Sequence, residues 1–394
     1  MSGFLTKRIL ITKEATHGVV PTNPVCIELL SESFDFKQDQ NSEEINLLGT
    51  SGDASPMAFG ASNFKGAIGF VASTDNLPVL LTHILGAPTA TAAATASTWA
   101  ATTVYVTGDI VNTVTDTKHS LVCYTGGTSG ATEPTLAADP NTDRNARITD
   151  GTVVWIAVPK LVQYTFSRQQ QMESFTVEYE LEDPSANLFY KRFSNVYMNA
   201  MPVAMTGGTI SWKISGDFVG ASATDSTEVG FTELSALAGA KIVPTFKDYY
   251  AYEDFTVTID TVANCGIESI NLDITRNVAV EDALNNCKNV NIGITSVKGN
   301  MNRVFEIADY TAFKAHTDMA IVFNFTKANG CSAVLTYPLV RPKLADPAQM
   351  IDKQAYLSTE LSAYGTSSSA SVSAVVVAPG LYDSTGALVG TGVY

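Results

Sequence analysis

The sequence predicts a mainly β protein. It reads as two like β modules in tandem, each with one flanking helix, plus a small all-β domain inserted in the first. Three observations carry this. Gln163-Tyr-Thr-Phe166-Ser-Arg168 and Ser174-Phe-Thr-Val-Glu-Tyr179 read as strand, polar turn, strand, and Val322-Phe-Asn-Phe325-Thr-Lys327 with Cys331-Ser-Ala-Val334-Leu-Thr-Tyr337 repeats the pattern. Alternation of this kind gives a strand one buried face. Two further echoes keep the same order: Phe64-Lys65-Gly66-Ala-Ile68 is answered by Val297-Lys298-Gly299-Asn-Met301, and Gly208-Thr-Ile210-Ser-Trp212 by Ala370-Ser-Val372-Ser-Ala374. Composition also breaks at residues 87–98, a Pro, Thr and Ala stretch that reads as a linker. The resulting ranges are 1–86 and 160–228 for the first module, 87–159 for the insert, 229–379 for the second module and 380–394 for a C-terminal segment.

Taken in order, residues 4–12 and 24–36 read as strands through Leu5, Ile9 and Ile11, then Val25, Ile27, Leu29, Phe34 and Phe36. Residues 38–63 read as a long polar loop, of the length that in a compact domain usually serves function or interaction. Residues 64–73 alternate as a strand. Residues 75–86 predict a helix, with Asp75 or Asn76 as N-cap, Pro78 in the first turn, an apolar face of Leu77, Leu81, Ile84 and Leu85, and Gly86 as the stop. In the insert, residues 99–158, short strands alternate with turns such as Gly127-Thr-Ser-Gly130. The second module repeats the plan: strands at Phe255–Ile259 and Ile267–Ile274, a loop with Glu281, Asp282, Asn285 and Asn286, and a helix over 309–319. There Asp309 is the expected N-cap, with Tyr310, Phe313 and Ala320 facing inward.

The 394 residues are 45% hydrophobic and 16% charged, the balance of a folded chain. Lys+Arg is 24 against Asp+Glu 39, a net charge of −15. That excludes a protein built to grip DNA, whose affinity comes from phosphate contacts, and permits a surface that DNA passes without adhering. The N-terminus has no secretory h-region and no apolar run is long enough to span a bilayer, so a cytosolic protein is expected. Cys26, Cys123, Cys265, Cys287 and Cys331 are scattered, with no metal or redox spacing, and read as isolated thiols. His17, His83, His119 and His316 have no ligand neighbours; His83 and His316 occupy the helix slots and are expected to be structural.

Neither a nucleophile elbow nor a phosphate loop is present. No catalytic residue, cofactor or metal is expected. Glu43-Glu44 and Glu281-Asp282 are adjacent acids that could do acid–base work or simply carry solvated loop charge. Lys65 and Lys298 recur before a glycine, either facing a neighbouring subunit's acid or guarding a strand edge. Trp99, Tyr105, Tyr124 and Trp155 could form a sugar-stacking platform, or the core of a very small domain.

Lys13-Glu14-Ala-Thr16-His-Gly18, Ser174-Phe175-Thr-Val177-Glu178, Phe193-Ser-Asn195-Val-Tyr197 and Gly208-Thr-Ile-Ser-Trp212-Lys-Ile-Ser-Gly216-Asp-Phe218 together resemble the tail tube protein of long-tailed (siphovirus-like) bacteriophages. The likeness covers 1–86 and 160–394. It implies β-sandwich or barrel modules whose inner strands join those of neighbours into a closed barrel, in a structural protein of stacked rings through which the genome is ejected. Six modules per ring are common in the family, so a doubled chain implies a homotrimer with pseudo-sixfold symmetry. The implied partners are further copies of itself, a tape-measure protein, a tail terminator or tail-tip protein, and double-stranded DNA that passes an acidic lumen without specific binding. Glu43, Glu44, Asp53, Glu281, Asp282 and Tyr394 lie in the segments expected to join stacked rings. Assembly is expected in the bacterial cytoplasm. The insert resembles chitin-binding-type modules of phage tails through Trp99, Tyr105, Gly108-Asp109, Gly127-Thr-Ser-Gly130, Glu133-Pro134 and Asp150-Gly151-Thr-Val-Val-Trp155, which implies an outward-facing module and binding of cell-surface polysaccharide. The alternatives are a tail-associated adhesin acting through 99–158, which deletion of 88–159 would separate from a tube subunit that still assembles, and a glycan hydrolase using Glu43 and Glu44.

Overall fold

A computed structural model describes residues 5–29, 31–44, 57–92, 96–207, 211–243, 248–263, 266–282, 288–343, 350–351, 354–366, 369–383 and 387–390. The chain opens with β1 (Leu5–Lys13), β2 (Val25–Glu28), β3 (Ser31–Phe34), β4 (Lys37–Glu44), β5 (Met57–Val71), α1 (Leu77–Leu85) and β6 (Thr89–Ala92). The insert holds β7 (Ala96–Thr98), β8 (Val104–Tyr105), β9 (Ile110–Asn112), β10 (His119–Thr125), β11 (Gly127–Thr128), β12 (Arg147–Asp150) and β13 (Val153–Pro159). Then come β14 (Leu161–Ser167), β15 (Phe175–Glu182), β16 (Leu188–Met201), β17 (Ala204–Thr206), β18 (Lys213–Gly220) and β19 (Ser222–Asp225). The second half has β20 (Lys241–Val243), β21 (Phe255–Ile259), β22 (Val262–Ala263), β23 (Ile267–Thr275), β24 (Val278–Asp282), β25 (Lys288–Ile292), β26 (Ser296–Val304), α2 (Ile307–Lys314), β27 (Met319–Thr326), β28 (Ser332–Pro342), β29 (Met350–Ile351), β30 (Gln354–Ala363) and β31 (Ser373–Pro379).

The two halves pair their strands alike. In the first, β1 pairs with β15, β15 with β16, β16 with β18 and then β19, β18 with β5, and β5 with β3, all antiparallel. In the second, β21 pairs with β27, β27 with β28, β28 with β30 and then β31, β30 with β26, and β26 with β23, again antiparallel. The correspondence extends to single residues. Gly66 stands opposite Phe218 and Gly299 opposite Leu361. A Cβ on Gly66 would fall onto the Asp35 carbonyl, and one on Gly299 onto the Asn271 carbonyl. The recurring Lys-Gly pair is thus explained by its glycine, at a place in each half where the neighbouring backbone comes too close for a side chain.

This correspondence corrects two of the three sequence echoes. Only the one between β5 and β26 is in place. β15 matches β27, not the strand after it, and β18 matches β30, with β31 matching β19. Period-two strands resemble one another whichever neighbour they have, so alternation alone does not fix identity. β14 has no counterpart: it pairs with β6 and with β31 of the other half. Likewise β20, in the range assigned to the second module, runs parallel to β2.

The polar segment 38–63 is also corrected. Its described parts are strand, β4 paired with β5 from Lys37–Lys65 to Glu44–Met57. Glu281 and Asp282 likewise lie on a strand, β24, paired with β25. Both hairpin arms satisfy backbone groups by pairing with their own return strands.

One apolar core runs through both halves. Trp212 of the first half stacks on Phe325 of the second with centroids 4.5 Å apart, a geometry that adds about 1 kcal/mol to burial. The two helices differ. In α1, Leu77, Val79, Leu80, Leu81, Ile84 and Leu85 are all buried, and Asn76 is the N-cap. In α2, Phe313 alone is buried and Glu306 is the N-cap; Asp309, expected there, sits in the first turn and bonds Arg303 at 2.6 Å.

Candidate assembly surface

The halves meet edge to edge. The end of β16 and β17 lie along β23, with Ala200 opposite Thr275, Met201 opposite Ile274, Ala204 opposite Asn271 and Thr206 opposite Ser269. Between the paired runs, the Leu272 N–H donates to the Val203 carbonyl at 2.9 Å. The arm of β24 and β25 then leans over the first half, where Val278, Val290 and Ile292 pack on Met172 and Tyr197. The Val278 N–H donates to Asn199 Oδ1 at 2.7 Å, and buried Arg276 donates to the carbonyls of Gln169 at 2.9 Å and Gln170 at 3.2 Å.

The counterpart of β23 in the first half is the β3–β4 stretch. By register on β5 and β26, Phe34 matches Ile270, Phe36 matches Leu272 and Asp39 matches Thr275. Among the described residues this stretch pairs only with β5, so the edge that β23 gives to β16 and β17 is unoccupied on β3 and β4.

One face of the joined sheet is polar. Lys213, Ser215 and Asp217 on β18, and Ser358, Glu360 and Ser362 on β30, are exposed, while their alternating neighbours Ile214, Phe218, Leu357 and Leu361 are buried. On the second half Asp273, Lys298, Arg341, Lys343 and Glu360 line a shallow groove. Partial burial pushes the Asp273 carboxyl up. Lys65 and Lys298 are both on this polar face and exposed.

Glu14, within the Lys13–Gly18 motif, was not singled out as a site by the sequence, yet it ties three strands together. Its buried carboxylate accepts from the N–H groups of Gly18 at 2.7 Å and Asn195 at 2.8 Å, and from the hydroxyls of Ser174 at 2.7 Å and Thr176 at 2.8 Å. His17 Nδ1 is 2.7 Å from the same Ser174 hydroxyl and 2.9 Å from that of Tyr197. Here the serine bridges histidine and carboxylate. In a nucleophilic triad the histidine stands in the middle, so this is a fastening of the β1 turn.

The insert's aromatics mostly point inward. Trp155 is fully buried, Tyr105 is 7% exposed and stacks edge-on against it, and Trp99 packs on the same cluster. Both indole N–H groups donate to Asp150 Oδ2, Trp99 at 2.9 Å and Trp155 at 3.1 Å. Tyr124 is exposed, with the Arg147 guanidinium 4.0 Å over its ring. Of the two readings of these aromatics, the core reading holds for Trp155 and Tyr105, which supply the buried area that a domain this small needs, while Tyr124 stays exposed.

The insert is also fastened to both halves. Arg144, in its polar spacer, donates to both carboxylate oxygens of Asp75 at 2.9 and 3.0 Å and to Thr74 Oγ1 at 2.9 Å, and lies 3.7 Å from Asp248. Asp248 in turn pairs with Lys327 at 3.4 Å and accepts from Asn329 at 2.9 Å. Alongside, Val122, Ile156, Val158 and Leu161 bury Cys331, and burial pushes that thiol far up. Spacing offers no signal for Arg144 or Asp248, which meet only through the fold.

Of the expected inter-ring residues, Glu281 is exposed on β24. Glu43 and Glu44 lie on β4 and Asp282 on β24, with their side chains outside the described residues, as are Asp53 and Tyr394 altogether. His83 is buried and His316 exposed at the end of α2. No group of three or more His, Cys, Asp or Glu residues able to hold a metal occurs among the described residues.

The sequence matches the family described as phage tail tube protein over residues 5–374. The chain belongs to that family. The match spans both halves and the insert, and the mainly β architecture agrees with it. A comparison with curated proteins gives no match. This tail tube protein is accordingly a structural component of the phage tail.

Proposed function

We propose that three copies of this chain close into a ring of six like modules, and that stacked rings form the tail conduit for DNA ejection. One observation carries the reading: the joint between β16–β17 and β23 within the chain meets an edge whose counterpart, β3–β4, is open. An exposed sheet edge invites a strand, and a closed barrel abolishes edges. The same joint made between copies lays the end of β28 of one copy along β3–β4 of the next, and head-to-tail repetition closes the ring. The hairpin arms, the tape-measure protein and the terminator or tip proteins then belong to the ring faces and tube ends. Assembly takes place in the host cytoplasm, and the insert faces outward.

The register supplies the test. Ala200 stands opposite Thr275; Thr275 matches Asp39, and Ala200 matches Lys343, whose N–H bonds the Glu360 carbonyl at 2.8 Å. Asp39→Cys combined with Lys343→Cys is expected to give disulfide-linked species ending at three copies on a non-reducing gel, with neither single variant doing so. Negative-stain images of the native chain at high concentration are expected to show rings or hollow filaments. A cross-link confined to one chain, or solid particles without a pore, would overturn the reading.

A further inference from the structure

The chain carries a net charge of −15, yet the described side chains on the polar face of the joined sheet do not share it. In the first half the described charges on that face are Lys37, Lys65 and Lys213 against Glu32, Asp35 and Asp217. In the second they are Lys298, Arg341 and Lys343 against Asp273, Asp318 and Glu360. Most of these cations lie beside an acid, although Lys37 stands opposite Lys65. Lys213 pairs with Glu32 at 2.8 Å, Lys37 with Asp35 at 3.2 Å, Lys343 with Glu360 at 2.9 Å and Arg341 with Asp318 at 2.9 Å. Lys298 stands directly opposite Asp273. The motif repeats between halves: Lys65 opposite Val219, two residues from Asp217, corresponds to Lys298 opposite Ser362, two residues from Glu360.

We propose that this face is a self-neutralised ladder, and that its six carboxylates are what keep its six cations from binding a DNA duplex. This rests on the reading that the face lines the conduit, and it replaces an acidic wall with a balanced one. The physics differs. A uniformly acidic wall repels DNA over a Debye length, roughly 8 Å at physiological salt. A balanced ladder exerts little field at that range, and close up the ion-paired cations already have their counterions, so DNA gains little counterion release by touching them. DNA is then neither held nor pushed outward. Removing the acids from this face would leave six cations on it, enough for salt-dependent, sequence-independent binding.

The experiment compares three forms of the full chain by fluorescence anisotropy with a short labelled duplex. The face variant is Glu32→Gln, Asp217→Asn, Asp273→Asn and Glu360→Gln. The control variant is Glu228→Gln, Glu253→Gln, Glu268→Gln and Glu306→Gln, exposed acids away from the face. Both lose four negative charges from −15, so overall charge is held equal. The native chain and the control are expected not to bind at 50 mM salt. The face variant is expected to bind, with affinity falling about 10²-fold between 50 and 200 mM salt, the slope of roughly four phosphate contacts. If four changes unfold the chain, the half-variants Glu32→Gln with Asp217→Asn, and Asp273→Asn with Glu360→Gln, are each expected to bind with about half that slope. Binding by the native chain, equal binding by the control, or no binding by folded face variants would each overturn the proposal. The conduit reading fails separately, through the cross-linking test: DNA binding by the face variant without linked rings would leave the ladder standing and remove the conduit.

Discussion

Burial holds the His83 imidazole neutral. The ring lies in α1 against Phe175, with centroids 4.0 Å apart, and burial pulls its pKa from the ordinary 6.5 down to about 3. Protonation is therefore refused by the folded chain and accepted by the unfolded one. The folded form has its full stability above pH 6.5 and loses it as pH falls toward 3. Between pH 6.5 and 5, above most carboxylate titrations, the loss amounts to about 2 kcal/mol. Thermal unfolding followed over that interval is expected to show a falling melting temperature in the native chain and a flat one in His83→Gln; equal slopes would refute the assignment. Sequence reasoning placed this histidine in a helix slot with a structural role, because Leu77, Leu81, Ile84 and Leu85 around it are apolar. It gave no hint of Glu14, whose four donors come from residues 18, 174, 176 and 195. Such a convergence is not legible in a linear pattern, since each donor is an ordinary residue of its own strand.

At the scale of elements, the insert is a brace between halves. Arg144 of the insert meets Asp75 just before α1 and Asp248 of the second half, both nearly closed to solvent. Removing the cation leaves two buried carboxylates without it, a loss of roughly 3–5 kcal/mol. Arg144→Met is expected to lower the denaturant midpoint by a corresponding amount, and to open the buried Cys331 thiol to alkylation under native conditions. Deleting 88–159 is expected to do more, since it also uncovers Leu161 and the β27–β28 turn at Gly330, which packs against Val122 and Ile110. The deletion is thus not the neutral excision that an outlying decoration would permit; unchanged stability and an unreactive Cys331 in both variants would show that the brace carries no strain. The strand elements themselves were largely visible in the sequence, because each core strand alternates. Their partners were not, because alternation names a face and leaves the neighbour open. The arms β4 and β24 read as loop because Glu43-Glu44 and Glu281-Asp282 mark them as polar, whereas their pairing with β5 and β25 is a tertiary fact.

For the whole molecule, the proposed ring has six like modules but three inserts. End-on class averages of assembled rings are therefore expected to show three peripheral densities on a nearly sixfold wall, and deletion of 88–159, where rings still form, is expected to erase them. Six equal densities, or none in the native chain, would contradict the threefold arrangement. The amino-acid sequence by itself determined that this chain is mainly β and acidic overall, and it read a doubling interrupted after the first helix. Those properties follow from composition and from the two-residue period of a half-buried strand, which are local quantities. Tertiary structure alone decided which strands correspond, that β17 joins β23 while β3 and β4 pair only with β5 among the described residues, that the insert's tryptophans face inward, and that the described charges on the polar face are equal in number. These are matters of which distant residues meet. The fold brings Lys213 to Glu32 across the sheet and Arg144 to Asp75 between two turns, and no local pattern in the chain encodes the meeting.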